Sequence, residues 1–281
     1  MVKRATGLKM NGQHRNNGAL LAADDPDPVW VENAAGRSPF LLTCDHAGLR
    51  FPAALGDLGL SAEDRQRHIA CDIGVDALGR LLAQQLDAVC IGQCYSRLVI
   101  DCNREPGSAD SIPECSDGTT VPGNLGLSRT AMDERRSAIF DPYHARIEAE
   151  LAARQARGQP SCLLLLHSFT PVWNGWGRPW QVGVLYNRDA RMARSLLATL
   201  RQIKTEADAE TVVGDNQPYS GTDGTDYALN RYGEARGLPY VELEIRQDLI
   251  ADQQGQAQWA SRLAPALALA YARLAGMQAG R

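Results

Sequence analysis

Short apolar segments alternate with stretches of helical periodicity along this chain, and this alternation is what most constrains the fold. The apolar segments have the length of buried strands, and several of them are separated by amphipathic stretches of helical length. Candidate strands cover residues 39–44, 88–92, 98–100, 161–166, 183–186 and 241–245, and candidate helices cover 75–86, 128–157, 189–202 and 256–277. Strands that alternate with helices favour a parallel arrangement. The sequence therefore predicts an α/β fold: a single domain with a mostly parallel mixed sheet flanked by helices.

The beginning of the chain differs in character from the rest. Residues 1–28 are polar, first basic and then rich in Asp and Pro, so we expect a flexible N-terminal lead-in there and a single catalytic α/β domain over residues 29–281. The N-terminus lacks the apolar segment of a secretory signal. No apolar run reaches the roughly 18–20 residues of a membrane span. We therefore expect a cytoplasmic protein without a membrane partner.

Charge and cysteine content narrow the class of function. The chain has 29 Lys and Arg residues against 33 Asp and Glu, a formal net charge of −4. Nucleic-acid binding needs a basic excess or a basic stripe, so we expect no nucleic-acid partner. An anionic substrate would have to be held by a local cluster of arginines. The seven cysteines are an odd number in a chain of this length, which argues against a disulfide framework.

Polar clusters follow the candidate strands. Asp45 and His46 follow the candidate strand 39–44, and Asn103 and Arg104 follow the candidate strand 98–100. His167 follows the candidate strand 161–166. A fourth cluster, residues 242–248, lies in and just after the last strand. In an open α/β sheet, sites form at the carboxyl ends of the strands. We therefore expect these clusters to converge on one edge of the sheet.

His46 and His167 are candidate metal ligands. Neutral imidazole is a common zinc ligand, and catalytic zinc sites use three protein ligands and keep one open position. The third ligand could be Asp72 or Asp45. The alternative is that each histidine caps its strand and forms only local hydrogen bonds.

The last candidate strand carries two carboxylates, Glu242 and Glu244, which face the same side because they are two residues apart. On a buried face they would need a metal ion or an arginine nearby. On an edge strand they would be solvated. Candidate arginines for gripping a carboxylate are Arg97, Arg104, Arg178 and Arg246. Arg246 could instead form a structural ion pair with Asp248.

The segment 105–127 is rich in Gly, Pro, Ser and Asp. Structureless segments of this length in compact domains are usually functional. This segment could be a lid or a binding loop.

Five motifs, in their order along the chain, carry a resemblance to a known family. They are Cys44-Asp45-His46-Ala47-Gly48 with Pro52, then Asp72-x-Gly74, then Ser96-Arg97-Leu98-Val99-Ile100-Asp101-x-Asn103-Arg104, then His167-Ser168-Phe169-Thr170-Pro171, and finally Glu244-Ile245-Arg246-Gln247-Asp248. Over residues 40–250 the chain resembles the N-formylglutamate amidohydrolase family. That family is similar in fold to the zinc carboxypeptidases, so the resemblance implies a phosphorylase/carboxypeptidase-like sheet.

The resemblance also implies a reaction and a role for each motif. It implies a Zn²⁺-dependent hydrolase that removes an N-formyl group from an acidic amino acid such as N-formyl-L-glutamate, releasing formate and glutamate. The carboxypeptidase pattern has a Glu three residues after the first histidine, where this chain has Leu49, so Asp72 is taken as the third ligand. The implied roles are zinc ligands for His46, His167 and Asp72, general base for Glu244, and substrate carboxylate binding for Asn103, Arg104, Arg97 and Arg246.

The partner that follows is a small anionic N-acyl amino acid, and the protein would be a monomer or a small homo-oligomer. Two rival interpretations stay open on the sequence. One is a related zinc hydrolase of another N-acyl amino acid or of a small peptide. The other is a metal-free protein that binds acidic amino acids on the same fold.

Overall fold

One twisted sheet organises the protein, whose computed structural model describes residues 20–202, 211–222 and 224–279. Within those residues the sheet has seven strands: β1 Val29–Glu32, β2 Phe40–Cys44, β3 Val89–Gln93, β4 Cys162–Phe169, β5 Val182–Leu185, β6 Val213–Asp215 and β7 Tyr240–Arg246. Their spatial order is β1-β3-β2-β4-β7-β5-β6. Strands β3, β2, β4 and β7 are mutually parallel, β1 is antiparallel to β3, and the parallel pair β5 and β6 is antiparallel to β7. The predicted single-domain α/β fold with a mostly parallel mixed sheet is confirmed.

Helices cover both faces of the sheet. They are α1 Val75–Gln85, α2 Arg129–Arg135, α3 Asp141–Ala156, α4 Arg191–Leu200 and α5 Gln253–Ala279, and a π-helical turn, Arg136–Phe140, joins α2 to α3. Helices α1, α4 and α5 share one apolar cluster with Cys44, Leu164 and Leu243 of the sheet. Helix α3 shares the opposite cluster with Leu163 and Leu165. Because successive strand residues point to opposite faces, the inner strands β2, β3 and β4 need apolar residues at both parities, and their segments are therefore continuous apolar runs.

The face covered by α3 is where polar groups replace apolar ones. On β4, Leu163 and Leu165 pack into the α3 cluster, and His167 is the next residue with the same orientation. On β7, Tyr240 packs into that cluster, and Glu242 and Glu244 follow at intervals of two. The carboxyl ends of β2, β4 and β7 therefore bring histidine and carboxylate side chains to one region of this face.

Two local predictions were wrong. Residues 98–100 form a buried turn and not a strand, with the backbone N–H of Val99 donating to the carbonyl of Ser96 at 2.9 Å. A short apolar run indicates that residues are buried, but it does not determine their secondary structure. These three residues are buried as a loop against the α3 face of the sheet. Residues 105–127 are not structureless: they contain a two-stranded ribbon, Cys115–Ser116 with Thr119–Thr120, and a turn of 3-10 helix, Pro122–Asn124. The side-chain amide of Asn124 donates to the carbonyls of Leu98 and Pro113, at 2.9 and 2.7 Å, which fixes this segment to the domain.

The predicted lead-in lies outside the described residues over positions 1–19. From residue 20 the chain contacts the domain: Leu20 is buried, and the hydroxyl of Tyr95 donates to the carbonyl of Pro26 at 2.6 Å. All seven cysteines are free thiols in the structure. No helix among the described residues is long and apolar enough to cross a membrane.

Candidate active site

His46, Asp72 and His167 form a buried cluster on the α3 side of the sheet. One ligand atom from each lies within 4.8 Å of the others, and their exposed fractions are only 2–5%. His46 follows β2, His167 lies on β4, and Asp72 precedes α1. Backbone contacts hold Asp72 between the two strands, since its N–H donates to the carbonyl of His46 at 2.9 Å and its Oδ2 accepts from the N–H of Ser168 at 3.2 Å.

Two glycines of the sequence motifs explain how the backbone reaches this arrangement. Gly74 has φ 84°, and a Cβ there would lie 2.1 Å from the carbonyl oxygen of Ile250. A Cβ on Gly48 would lie 2.1 Å from the carbonyl carbon of Cys94. Only glycine fits where the loops carrying Asp72 and His46 pass so close to other backbone segments.

Each histidine ring has one nitrogen toward Asp72 and the other toward a second carboxylate. His46 Nε2 donates to Asp101 Oδ1 at 2.7 Å, while His46 Nδ1 lies 3.5 Å from Asp72 Oδ2. His167 Nδ1 lies 2.9 Å from Asp72 Oδ2, and His167 Nε2 lies 3.8 Å from Asp45 Oδ2. A carboxylate behind the ring is typical of metal-binding histidines, because it fixes the tautomer and orients the second nitrogen.

This cluster fits a divalent metal ion. Two imidazole nitrogens and one carboxylate oxygen are a donor set of catalytic zinc sites. His46 Nδ1 is buried and has no hydrogen-bond partner among the described residues, which is costly unless a cation or a ligand satisfies it. Burial and Arg97 both lower the pKa of His46, yet Asp101 and Asp72 outweigh them and raise it to about 9. The surrounding carboxylates thus create a negative field that favours a positive charge at the centre of the cluster.

The cluster opens into a cavity of about 210 Å³. Its walls combine acidic, basic and neutral polar groups from several strand ends and loops. They are formed by His46, Asp72, Arg97, Asn103, Arg104, His167, Ser168, Tyr219, Thr225, Asp226, Glu242 and Glu244. Of the predicted site residues, Arg246, Arg178 and Asp45 are not in this wall. Arg178 lies behind it, where its Nη1 donates to the hydroxyl of Tyr219 at 3.1 Å, and Asp45 accepts from the hydroxyl of Tyr143. Arg246 pairs with Asp248 at 2.8 Å outside the cavity, as the structural alternative foresaw.

Glu242 and Glu244 are buried in the middle of the sheet. Their strand, β7, lies between β4 and β5, so the edge-strand alternative is wrong. Their exposed fractions are 2% and 6%, and the Oε2 atom of each has no hydrogen-bond partner among the described residues. Burial, with Asp72 and Asp226 nearby, raises the pKa of Glu244 well above its usual range, although Arg97 and Arg178 oppose the shift. Glu244 is the register partner of His167 on β4, which places it beside the candidate metal cluster.

Asn103 and Arg104 form the opposite wall. Asn103 is fixed by three contacts: its N–H donates to Asp101 at 2.8 Å, its Nδ2 donates to Asp226 at 2.9 Å, and its Oδ1 accepts from the N–H of Ala228 at 3.1 Å. Arg104 Nη1 donates to the carbonyl of Asn103 at 2.9 Å, and its Nε pairs with the exposed Asp110 at 2.9 Å.

Arg97 has a different environment from Arg104. Its guanidinium contacts Asp101 Oδ2 at 2.7 and 3.0 Å and Asp72 Oδ1 at 3.5 Å. It therefore links the carboxylate behind His46 to the carboxylate within the candidate metal cluster.

Sequence reasoning missed three groups of this site. Asp101 orients His46, and the hydroxyl of Tyr143 on α3 donates to Asp45. Asp226 contacts Asn103 from a segment more than 120 residues away in sequence. Asp101 lies inside a motif that the sequence singles out, so its position carried a signal, whereas nothing in the local sequence marks Tyr143 or Asp226.

Comparisons with known proteins identify the family of the chain. Residues 38–251 match the family described as N-formylglutamate amidohydrolase. Among curated proteins, none matches the chain. Among solved structures, the gene product Atu2144 from Agrobacterium tumefaciens is 36% identical, with a TM-score of 0.86, and the match covers 91% of this chain and 99% of that one. An N-formylglutamate amidohydrolase from Ralstonia eutropha is 19% identical with a TM-score of 0.67, over 91% of this chain and 100% of that one, and shows the same fold. The chain therefore belongs to the N-formylglutamate amidohydrolase family and is a hydrolase that acts on an amide bond.

Proposed function

We propose that this protein is a zinc-dependent deformylase of N-formyl amino acids. It would cleave the linear formamide bond and release formate and the free amino acid. N-formyl-L-glutamate, the substrate in the family's name, is the reference substrate, with formate and glutamate as its products. The observation that carries the proposal is that a cluster able to hold a metal ion, a buried carboxyl group and an Asn-Arg pair line one small cavity.

His46, Asp72 and His167 would hold the metal ion. A zinc ion in that position supplies Lewis-acid polarisation of the formyl oxygen and lowers the pKa of water from 15.7 to about 7. Asp101 keeps His46 in the tautomer whose Nδ1 is available as a ligand. Asp45, itself held by Tyr143, lies 3.8 Å from the far nitrogen of His167, beyond hydrogen-bond distance.

Glu244 is the candidate general base. A cation held beside Glu244 would oppose the burial and the carboxylates that raise its pKa, and so would favour the ionised form. That carboxylate would take a proton from the water that attacks the formyl carbon and return it to the amine that leaves. The position beside His167 supports this role, as does an Oε2 atom with no hydrogen-bond partner among the described side chains. Proton transfer by a positioned side chain typically contributes about 10²–10⁴-fold in rate.

Asn103 and Arg104 would hold the α-carboxylate of the amino acid. Arginine binds a carboxylate through two parallel hydrogen bonds, and the fixed Asn103 backbone limits the movement of its neighbour. This anchor would place the scissile amide between the candidate metal cluster and Glu244. Binding would then hold the reacting groups in the right orientation, which lowers the entropic cost of reaching the transition state.

The test is formate release from a panel of N-formyl, N-acetyl and longer N-acyl amino acids, with and without a chelator. The proposal predicts formate from N-formyl substrates, loss of activity with chelator and recovery with added zinc. Release of larger acyl groups at higher kcat/KM than formate would instead support a hydrolase of other N-acyl amino acids. His46→Ala should remove both metal and activity, and full zinc content in that variant would contradict the assigned ligands.

A further inference from the structure

Arg178 is a buried cation that has no part in the proposed reaction. Its exposed fraction is 6%. Among the residues that the structure describes, its guanidinium hydrogen-bonds only to Thr170 and Tyr219, which are both uncharged. A buried charge without a partner of opposite charge is costly to maintain. An arginine kept in this state beside a cavity is therefore expected to serve an anion that binds there.

The two arginines of the cavity wall already have carboxylate partners. Arg97 Nη2 lies 2.7 Å from Asp101 Oδ2, and Arg104 Nε lies 2.9 Å from Asp110 Oδ2. The Asp110 side chain is 57% exposed, so Arg104 can exchange it for the α-carboxylate of a substrate. A second carboxylate on the same substrate would be attracted toward Arg178, whose charge no contacting carboxylate among the described residues balances.

The last three residues of the sequence motif 167–171 hold Arg178 in place. Its backbone N–H donates to the carbonyl of Pro171 at 2.8 Å, and its Nη1 donates to the hydroxyl of Thr170 at 3.3 Å. Its guanidinium carbon lies 5.7 Å from the ring centre of Phe169. The candidate metal cluster uses only the first residue of this motif. The contacts with Arg178 give the last three residues a role, which is to fix a positive charge beside the cavity.

Tyr219 connects Arg178 to the cavity, because it lines the wall and its hydroxyl oxygen accepts from Arg178 Nη1 at 3.1 Å. The guanidinium carbon lies 5.0 Å from the centre of the Tyr219 ring. Partial burial and the nearby Glu244 raise the pKa of Tyr219, although Arg178 opposes the shift, so the hydroxyl keeps its proton. Among the described residues, none accepts that proton in a hydrogen bond. It is therefore available to a ligand in the cavity.

We infer that Tyr219 and Arg178 form the subsite for the side chain of the amino acid, and that this subsite selects a carboxylate. The Tyr219 hydroxyl donates to the carboxylate directly. Arg178 acts through Tyr219, since it holds the phenol oxygen and supplies the positive charge behind it. The inference rests on the proposed deformylation and names the residues that choose the amino acid. A hydrogen bond to an ionised acceptor is about twice as strong as one between neutral groups, so glutamate is preferred over glutamine, which has the same shape.

Isosteric substrates separate recognition of the side chain from deformylation. The zinc-loaded wild type is assayed for formate release from the N-formyl derivatives of glutamate, glutamine and norvaline, the last of which has no polar end. We expect kcat/KM for formyl-glutamate to exceed that for formyl-glutamine by about 10- to 200-fold, the worth of a hydrogen bond to a charged group.

Tyr219→Phe removes the donor of the subsite. The ratio of kcat/KM for formyl-glutamate to that for formyl-norvaline should fall about 10-fold or more, and mainly through KM, because the contact is remote from the reacting bond. Tyr186→Phe is the matched control, since the hydroxyl of Tyr186 donates to Asp215 at 2.9 Å outside the cavity. This control should keep the wild-type ratio.

Two substitutions of Arg178 distinguish its charge from its packing. Arg178→Gln removes the charge and should lower the same ratio of formyl-glutamate to formyl-norvaline. Arg178→Lys keeps the charge on a different geometry and should restore part of the ratio. A purely structural role of Arg178 would instead lower kcat/KM for all three substrates in parallel and leave the ratio unchanged.

Equal hydrolysis of the three substrates by the wild type would overturn the subsite while leaving deformylation intact. A preference for formyl-glutamate that survives unchanged in Tyr219→Phe, or a parallel loss in Arg178→Gln, would overturn the role assigned to that residue. Failure of the wild type on all three substrates would overturn the proposed function and the subsite with it. Thermal unfolding checks that the variants are folded, and if Arg178→Gln is not, Arg178→Lys and Tyr219→Phe decide.

Discussion

Replacement of Asp101 by Asn is the most informative single perturbation of the candidate metal cluster. Asp101 accepts from His46 Nε2 at 2.7 Å and from two nitrogens of Arg97, and its side chain is 4% exposed. Loss of a carboxylate behind a metal-binding histidine typically weakens metal binding about 10- to 100-fold. We therefore expect the zinc dissociation constant of Asp101→Asn to rise by that factor.

The same substitution should also destabilise the metal-free protein. Removing one partner of a buried ion pair costs about 3–5 kcal/mol. The Arg97 side chain is 25% exposed and keeps Asp72 at 3.5 Å, so we expect the lower end, about 3 kcal/mol. Zinc affinity is measured by competition with a chromophoric chelator, and stability by urea unfolding of the chelated protein.

Asp248→Asn is the matched control, since Asp248 pairs with Arg246 outside the cavity and its side chain is 44% exposed. An exposed pair is worth about 0–1 kcal/mol, so this variant should keep wild-type zinc affinity and nearly wild-type stability. If Asp101→Asn bound zinc as tightly as the wild type, the reasoning that Asp101 orients His46 as a ligand would be refuted.

Three further predictions concern the base, the anchor and the fold. Glu244→Gln should retain zinc by metal analysis but lose about 10²-fold or more in kcat, and a rise in KM alone would make it a binding residue. Arg104→Lys keeps the charge but loses the two-pronged contact, so kcat/KM for N-formyl substrates should fall roughly 10- to 200-fold in steady-state assays, and an unchanged value would contradict the anchor. Burial lowers the pKa of His144 to about 3, against the ordinary 6.5. The unfolded state then takes up this proton first, so the contribution of His144 to the free energy of unfolding falls as pH drops from about 6.5 towards 3, by about 1.4 kcal/mol per pH unit. Urea unfolding of chelated wild type and His144→Gln at pH 7 and pH 5 should show the smaller loss in the variant, and equal losses would contradict the assignment.

The strand-end positions of the site could be predicted from sequence because the sheet dictates them. Once β2, β4 and β7 are parallel neighbours, His46, His167 and Glu244 must come to the same edge. The strand parity of Glu242 and Glu244 likewise follows from their spacing of two. The local sequence pattern and the fold class together are therefore enough to predict the positions of these strand-end residues.

The contacts between distant loops could not be predicted in the same way. Asp226 meets Asn103, and Tyr143 meets Asp45, through packing that no local periodicity reports. For the segment 98–100, the local pattern predicted a strand that does not form. Its apolar residues pack into the core from a turn. The pairing of Arg246 with Asp248 rather than with the cavity is decided by where the chain turns after β7, in a short 3-10 helix, Gln247–Leu249.

Zinc titration of the chelator-stripped protein, with formate release from N-formyl amino acids as the readout, tests the central claim most directly. Among the described residues, His46, Asp72 and His167 are the one group found that could hold a metal ion. We predict no formate from the stripped protein, a linear rise with added zinc and saturation at about one equivalent per chain, as expected for one catalytic site with three protein ligands. Full activity of the stripped protein, or no formate at any zinc concentration, would contradict the account.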